Sequence, residues 1–458
     1  MDNTSESTEH IHPGRLPAFW DRSVVFFANL KSMFFGNIQQ LSKLESEVSG
    51  VNTYGGRLIT VVDTLFYGRP NLLVLEKAPN RSILNYLKDT LKLSLPEILI
   101  VDANVYSSIT TKTSGKELKY NLDCAKERIS SHPAGWIDGY VTDDILIRWA
   151  RKLGKSNINT AQGCQIANNK LLLYYHLVEK GLPVIDTEVA ESSDKIQDCL
   201  DKLKKKGYTK AVAKSQIGAS GIGMIALSTS GSNKPMPEYM FYEGPCIIQG
   251  WMEPGIKGIE KIYSPSVQLF VDDESVHLYD ITEQILSKHS VHEGNIAYPP
   301  YLDDYSGLSE ELLGQAVIVA KWLHSQSYRG TASVDYLVAV RNGQLEVRIC
   351  EINARVTGAT YPSVLARHFI PHGAWIMRNL KTEEPIEGQR LLELLDKKDA
   401  LYYPGRTEGF LPINFNLNDE GRVIKGQFLY IAENVGICTN GLKNFSEALP
   451  IGWEYDRD

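Results

Sequence analysis

The chain has 458 residues, enough for two or three domains around a large buried core. Its 43% hydrophobic and 22% charged content is ordinary for a globular protein, and its formal charge of −7 argues against a nucleic-acid partner. No apolar run reaches the length of a membrane span, and the six scattered cysteines include no Cys-x-x-Cys pair, so reduced thiols in a cytoplasmic protein are expected.

The polar start, MDNTSESTEH, predicts a disordered tail over 1–16. From about Pro17 to Ala150 strand and helix patterns alternate. Residues 23–30, 57–62, 72–75 and 95–101 read as strands and 80–91 as a helix, while Tyr54-Gly55-Gly56-Arg57 reads as a turn followed by a cation. This predicts an N-terminal α/β domain over 1–160 with parallel pairing, and without the Gly-x-Gly-x-x-Gly of a dinucleotide site.

Asn168-Asn169-Lys170 opens a helix, with Asn168 as the expected N-cap and Gly181 as the stop. A lysine in the first turn is disfavoured by the helix dipole, so Lys170 hints at an anionic partner. A second helix over 192–206 ends in the solvated run Lys202–Lys206. Residues 208–214 form a strand carrying Lys214, and Gly218, Ser220, Gly221 and Gly223 then turn the chain into a return strand from Met224. Glycines let backbone N–H groups approach phosphate oxygens, and Lys214 supplies charge. The lysine precedes the glycines, which excludes a Walker loop.

Residues 245–251 read as a short buried strand running into Gln249-Gly250-Trp251-Met252-Glu253. Strands at 264–271 and 276–281 follow. The stretch 282–300, with a glycine, prolines and polar residues, reads as a long mobile loop. On it Gln284, Lys288, His289, His292 and Glu293 are candidates to face a substrate. Ser309 is the expected cap of a helix reaching Gln326.

The stretch Arg329–Pro362 carries the densest chemistry. It alternates from Ala332 to Val340, turns at Asn342-Gly343 and alternates again to Ile352, a hairpin pattern. Glu351 and Asn353 share one face, and Asp335 can join them from the paired strand. Two carboxylates and an amide oxygen are hard ligands that suit Mg²⁺, with phosphates completing its octahedron. The guanidinium of Arg355 suits an anionic phosphate or carboxylate. A helix is expected over 359–368. Leu391–Lys398, the turn Tyr403-Pro404-Gly405-Arg406 and the strands 410–415 and 427–431 then make a small α+β domain over 376–458, with no catalytic constellation.

The order of these motifs resembles the ATP-grasp superfamily over 161–375, with a preceding α/β domain and a small C-terminal domain. Lys170, Lys214, the glycine loop, the 249–253 segment, Asp335 and the Glu351-x-Asn353-x-Arg355 run carry the likeness. ITEQIL and GATYP are further similar to the pheganomycin-type peptide ligase family, although Ala354, Val356, Thr357 and Tyr361 depart from its pattern. The resemblance implies an ADP-forming ligase that activates a carboxylate as an acylphosphate and joins it to an amine, with amino acids or peptides as substrates. Alternatives are transfer to a carrier-protein thiol, or a nucleotide-binding protein without chemistry.

The same resemblance implies site roles. Lys170 and Lys214 would hold the α- and β-phosphates of ATP under the loop Gly218, Ser220, Gly221 and Gly223. Gln249, Gly250, Trp251 and Met252 would read the adenine, and Glu253 or Glu260 the ribose. Asp335, Glu351 and Asn353 would bind two Mg²⁺, and Arg355 would offset charge on the transferred phosphoryl group. Gln284, His289, His292 and Thr360 are the substrate candidates.

Overall fold

The computed structural model describes residues 6–453 apart from 18–19, 48–50, 67, 103–105, 107–115, 232 and 287–291. Strand β1 (Thr8–Ile11) opens the chain. It pairs parallel with the early part of a later strand, Thr8 opposite Ser275 and Ile11 opposite Leu278. The expected tail over 1–16 is therefore corrected for these residues. The edge they use is left open by the next strand of the sheet, and the His10 ring stacks on His277 at 4.8 Å.

The N-terminal layer is a five-stranded parallel sheet, in the order β4-β3-β2-β5-β6. These are β2 (Val24–Phe27), β3 (Leu72–Leu75), β4 (Glu97–Ile100), β5 (Trp136–Gly139) and β6 (Ser156–Asn157). The expected strand over 57–62 is corrected: a 3-10 helix, Val51–Leu58, runs into helix α1 (Ile59–Leu65). Leu58, Ile59, Val61, Val62 and Leu65 are all buried, so the helix is apolar nearly all round and lacks the periodicity that would separate it from a buried strand.

A four-stranded antiparallel sheet follows, ordered β7-β10-β8-β9. It comprises β7 (Thr187–Ala190), β8 (Lys210–Lys214), β9 (Met224–Ser228) and β10 (Cys246–Gly250). One face carries Ala211, Ala213 and Ile248, packed with Cys199, Leu200 and Leu203 of helix α2 (Ile196–Lys205). Strand alternation turns Lys214 and Gln249 to the other face.

The third sheet has eleven strands and includes β11 (Lys261–Tyr263), β12 (Pro265–Val271), β13 (Ser275–Leu286), β14 (His292–Ala297), β15 (Gly330–Arg341) and β16 (Gln344–Asn353). The C-terminal strands β17 (Ala374–Ile386), β18 (Gly409–Leu417), β19 (Val423–Ala432) and β20 (Ile451–Trp453) continue it, through pairing of β14 with β17. Within the expected loop at 282–300 the described residues 282–286 and 292–297 are corrected to strand, since β13 runs to Leu286 and β14 pairs on both sides, while 287–291 lie outside the described residues. Gly294 was the misleading residue. A Cβ there would lie 2.0 Å from the Met377 carbonyl oxygen, so the glycine permits close strand approach rather than marking a loop.

Candidate active site

Helix α3 (Lys170–Glu179) starts after Asn169, whose side-chain oxygen accepts the N–H groups of Leu171 and Leu172 at 3.0 Å. The cap is thus Asn169, one residue beyond the expected Asn168. Asn168 does other work. Its Oδ1 accepts the Ala354 N–H at 3.1 Å and the Arg355 guanidinium at 3.0 Å, fixing the segment that leaves the acidic hairpin. Lys170, the first helical residue, points its Nζ at Glu351 Oε2 at 3.5 Å and donates to the Gly218 carbonyl at 3.3 Å.

In the β15–β16 hairpin Asp335 lies directly opposite Glu351, and Ser333 opposite Asn353. Asn353 Nδ2 donates to Asp335 Oδ2 at 2.8 Å. On the other side of β15, Ser266 of β12 stands opposite Asp335 and donates to its Oδ1 at 2.6 Å, with Ser333 Oγ at 3.1 Å. Burial, then the facing Glu351, push the Asp335 carboxyl up to about 6. Burial also opposes charge on Glu351, but Lys170, Lys214 and Arg355 outweigh it and hold that carboxyl below the usual range.

A register shift beside Asp335 leaves Cys350 as the extra residue of a bulge. The consecutive residues 350 and 351 therefore both reach Lys214 and its surroundings: Lys214 Nζ lies 3.5 Å from Cys350 Sγ. Burial disfavours the Lys214 charge, yet Cys350, Glu351 and Asp335 together raise its pKa. For Lys170 burial prevails and lowers it, with Glu351 opposing. The glycine loop folds between them, with Ser220, Gly221 and Gly223 at positive φ and a Cβ on Gly218 lying 2.4 Å from the Ile222 carbonyl.

Gln249 shares the face of Lys214. Its Nε2 donates to Thr187 at 3.1 Å, whereas its buried Oε1 has no partner. Gly250 lies against the Tyr208 ring, where a Cβ would come within 2.5 Å. Trp251 N–H donates to the Lys210 carbonyl, and Met252 follows as a half-buried residue. Glu253 is paired with Lys210 at 2.9 Å. Glu260 accepts the Asn342 N–H at 2.8 Å at the hairpin tip. That is about 20 Å along the strand from Asp335, so it is not brought together with the acidic set.

The substrate candidates are scattered. Gln284 lies on β13 opposite Asn295, partly buried. His289 and Lys288 lie outside the described residues, and His292 begins β14, its side chain outside the description. Glu293 pairs with Arg378 at 3.0 Å. Thr360 is fully buried at the start of helix α4 (Thr360–Phe369), and its Oγ1 accepts the Thr357 N–H at 3.0 Å, which secures the turn. Ser266, Ser333, Cys350 and Asn168 escaped the sequence because strand register and a bulge, not any local pattern, bring them here.

Arg355 also lines a small cavity with Asp138, Tyr140, Asn159, Cys164 and Tyr328. Burial pushes the Asp138 carboxyl up to about 7. Burial lowers the Arg355 pKa, with Glu351 and Asp335 opposing.

No protein-family model matches the chain. The butirosin acyl-carrier protein–L-glutamate ligase of Niallia circulans is 23% identical over 304 residues, which are 65% of this chain and 64% of that protein. The chain thus spans just under two thirds of that relative's length. Biotin carboxylase from Campylobacter jejuni, solved as a β,γ-ATP complex, superposes with a TM-score of 0.55 at 13% identity, over 94% of this chain and 92% of that one. The biotin carboxylase domain of Hydrogenobacter thermophilus 2-oxoglutarate carboxylase, solved with MgADP, ADP and bicarbonate, gives 0.54 at 11% identity, over 94% and 91%. At such identities the likeness speaks for the fold, and three sheets with the acidic hairpin set against a lysine-bearing strand make it the ATP-grasp fold.

Proposed function

We propose that the protein is an ATP-dependent, ADP-forming ligase that activates a carboxylate as an acylphosphate and joins it to an amine, making a peptide-type bond. The observation that carries this reading is the convergence of Lys170, Lys214 and Arg355 on the carboxylates of Glu351 and Asp335. Phosphoryl transfer needs charge neutralisation and in-line positioning more than covalent help. A cradle of fixed cations beside oxygen-only metal ligands supplies both.

The donor set fits Mg²⁺. Two opposed carboxylates, one pushed up to about 6, and an amide are hard oxygens with no thiolate or imidazole required. Asp335, Glu351 and Asn353 would hold the ion or ions, whose charge when bound helps offset that of the phosphates. Lys170 and Lys214 would position the nucleotide phosphates beneath the glycine loop, and the unpartnered Gln249 Oε1 is an acceptor suited to the adenine amino group. Arg355, held by Asn168, would orient the acid and balance charge as the acylphosphate forms. The amine then displaces phosphate.

A second reading is favoured by the Niallia circulans relative, whose name records a glutamate and an acyl-carrier protein. In it the activated acid passes to a carrier protein instead of a free amine. Product analysis with Mg²⁺-ATP tests both, using pooled amino acids and short peptides with and without a phosphopantetheinylated carrier protein. ADP and phosphate released only with particular acids support the ligase. A mass increase on the carrier selects the second reading. AMP and pyrophosphate would sink the acylphosphate mechanism.

A further inference from the structure

Beside Tyr140, which lines the Arg355 cavity, stands a guanidinium with no counter-ion among the described residues. Arg57 leaves the 3-10 helix Val51–Leu58 and lies 4.0 Å from the Tyr54 ring and 5.6 Å from the Tyr361 ring. Its Nε is sealed from solvent and has no hydrogen-bond partner, while the residue as a whole keeps part of its surface open. Among the described residues no Asp or Glu lies within ion-pair distance of it. The ionisable groups that face it are the phenols of Tyr361, Tyr54 and Tyr140. Burial pushes the Tyr140 and Tyr361 phenols further up, so they stay neutral and cannot balance the charge. A buried cation without a counter-charge is costly unless a ligand supplies one.

The surroundings are built for hydrogen bonding. Gln427 Nε2 donates to Tyr361 OH at 2.7 Å, and its buried Oε1 has no partner. Asn414 and Asn416 of β18 are buried nearby, and a Cβ on Gly56 would lie 2.6 Å from Asn414 Oδ1, so the glycine lets the helix seat directly on this wall. Tyr140 belongs to both places: it lines the Arg355 cavity and faces Arg57.

We infer that Arg57, with Tyr54, Tyr361 and Gln427, binds a second, non-reacting carboxylate on one of the substrates. A planar guanidinium matches a carboxylate bidentately, and Tyr361 OH, which accepts from Gln427, keeps its own proton to donate. The unpartnered Gln427 Oε1 accepts an N–H of the same ligand. Arg57 is therefore a specificity-determining residue, separated from the reacting atoms by Tyr140. The inference rests on the ligase reading for the word substrate; the anion site itself does not.

The test uses the intact protein with a non-hydrolysable ATP analogue and Mg²⁺. Binding of the standard amino acids and of their C-terminal carboxamides is measured by calorimetry in wild type, Arg57→Gln and Arg57→Lys. The expected result is an amino acid that binds wild type about 100-fold more tightly than its carboxamide. Arg57→Gln abolishes that preference, and Arg57→Lys, which retains the charge but not the fork, restores part of it. Equal nucleotide affinity in all three proteins reports an intact fold, and Tyr54→Phe, which keeps the cation, supplies a milder variant with a reduced preference. The proposal is overturned if no amino acid binds, if acid and amide bind alike, or if Arg57→Gln keeps the preference. ADP release is read separately, so its absence beside an intact carboxylate preference sinks the ligase reading alone. Amidating donor and acceptor in turn identifies which substrate carries the recognised group.

Discussion

Lys170 Nζ and Glu351 Oε2 meet at 3.5 Å, joining the first turn of α3 to the end of the acidic hairpin. The lysine is charge-compensated by a residue that is itself a proposed metal ligand. Lys170→Met should raise the dissociation constant for Mg²⁺-ATP by about 100-fold, the effect of deleting one member of a buried charged contact. Calorimetry with a non-hydrolysable analogue checks this, and unchanged affinity would remove Lys170 from the phosphate site.

Asp335→Asn separates stability from activity. The carboxylates of Asp335 and Glu351 oppose each other across the hairpin, and Asp335 is pushed up to about 6. Neutralising one relieves that repulsion, so the melting temperature should hold or rise. ADP formation should fall by about 1000-fold or more, and excess Mg²⁺ should not rescue it. Turnover surviving at the wild-type rate would overturn the metal assignment.

Within one loop, two glycines should behave differently. A Cβ on Gly218 would press on the Ile222 backbone at 2.4 Å, whereas around Gly221, at φ +77°, nothing lies within 4 Å. Gly221→Ala should therefore cost only about 1 kcal/mol, from its left-handed backbone. Gly218→Ala should distort the loop and weaken nucleotide binding much more. Equal effects in paired thermal melts and nucleotide titrations would contradict this.

Glu243 gives a pH signature. Both of its carboxylate oxygens are buried. Burial pushes the group up to about 7, against the pull of the Glu243 and Ile217 backbone N–H groups and of Lys170. Its folded pKa lies above the unfolded value, so its stabilising contribution is complete below about pH 4 and disappears as pH rises through about 7. Thermal stability should drop across this window by roughly 2–3 kcal/mol, and Glu243→Gln should flatten the drop. A wild-type profile flat from pH 5 to 8 would refute the assignment.

The hairpin was legible because its alternation, its Asn342-Gly343 turn and its acidic residues all lie within one local stretch. The lysine-bearing strand and glycine loop were legible for the same reason. What stayed hidden depends on partners distant in sequence. Ser266 meets Asp335 through strand register, Cys350 reaches Lys214 through a bulge, and Gly294 permits a strand where its composition suggests a loop. Arg57 looked like a cation after a turn, and its isolation among phenols emerges only when β18, β19 and α4 close around it.

The eleven-stranded sheet runs without a break in backbone pairing from the acidic hairpin, through β12, β13, β14 and β17, to the strands that carry Asn414 and Gln427. The place where an acyl group would be activated and the wall behind Arg57 are therefore mounted on one stiff plate. On the proposed reading their separation would work as a ruler, selecting substrates by reach as well as by charge. A homologous series differing by single methylene groups should show one sharp optimum in kcat/KM, and a flat series would mean that the two ends move independently.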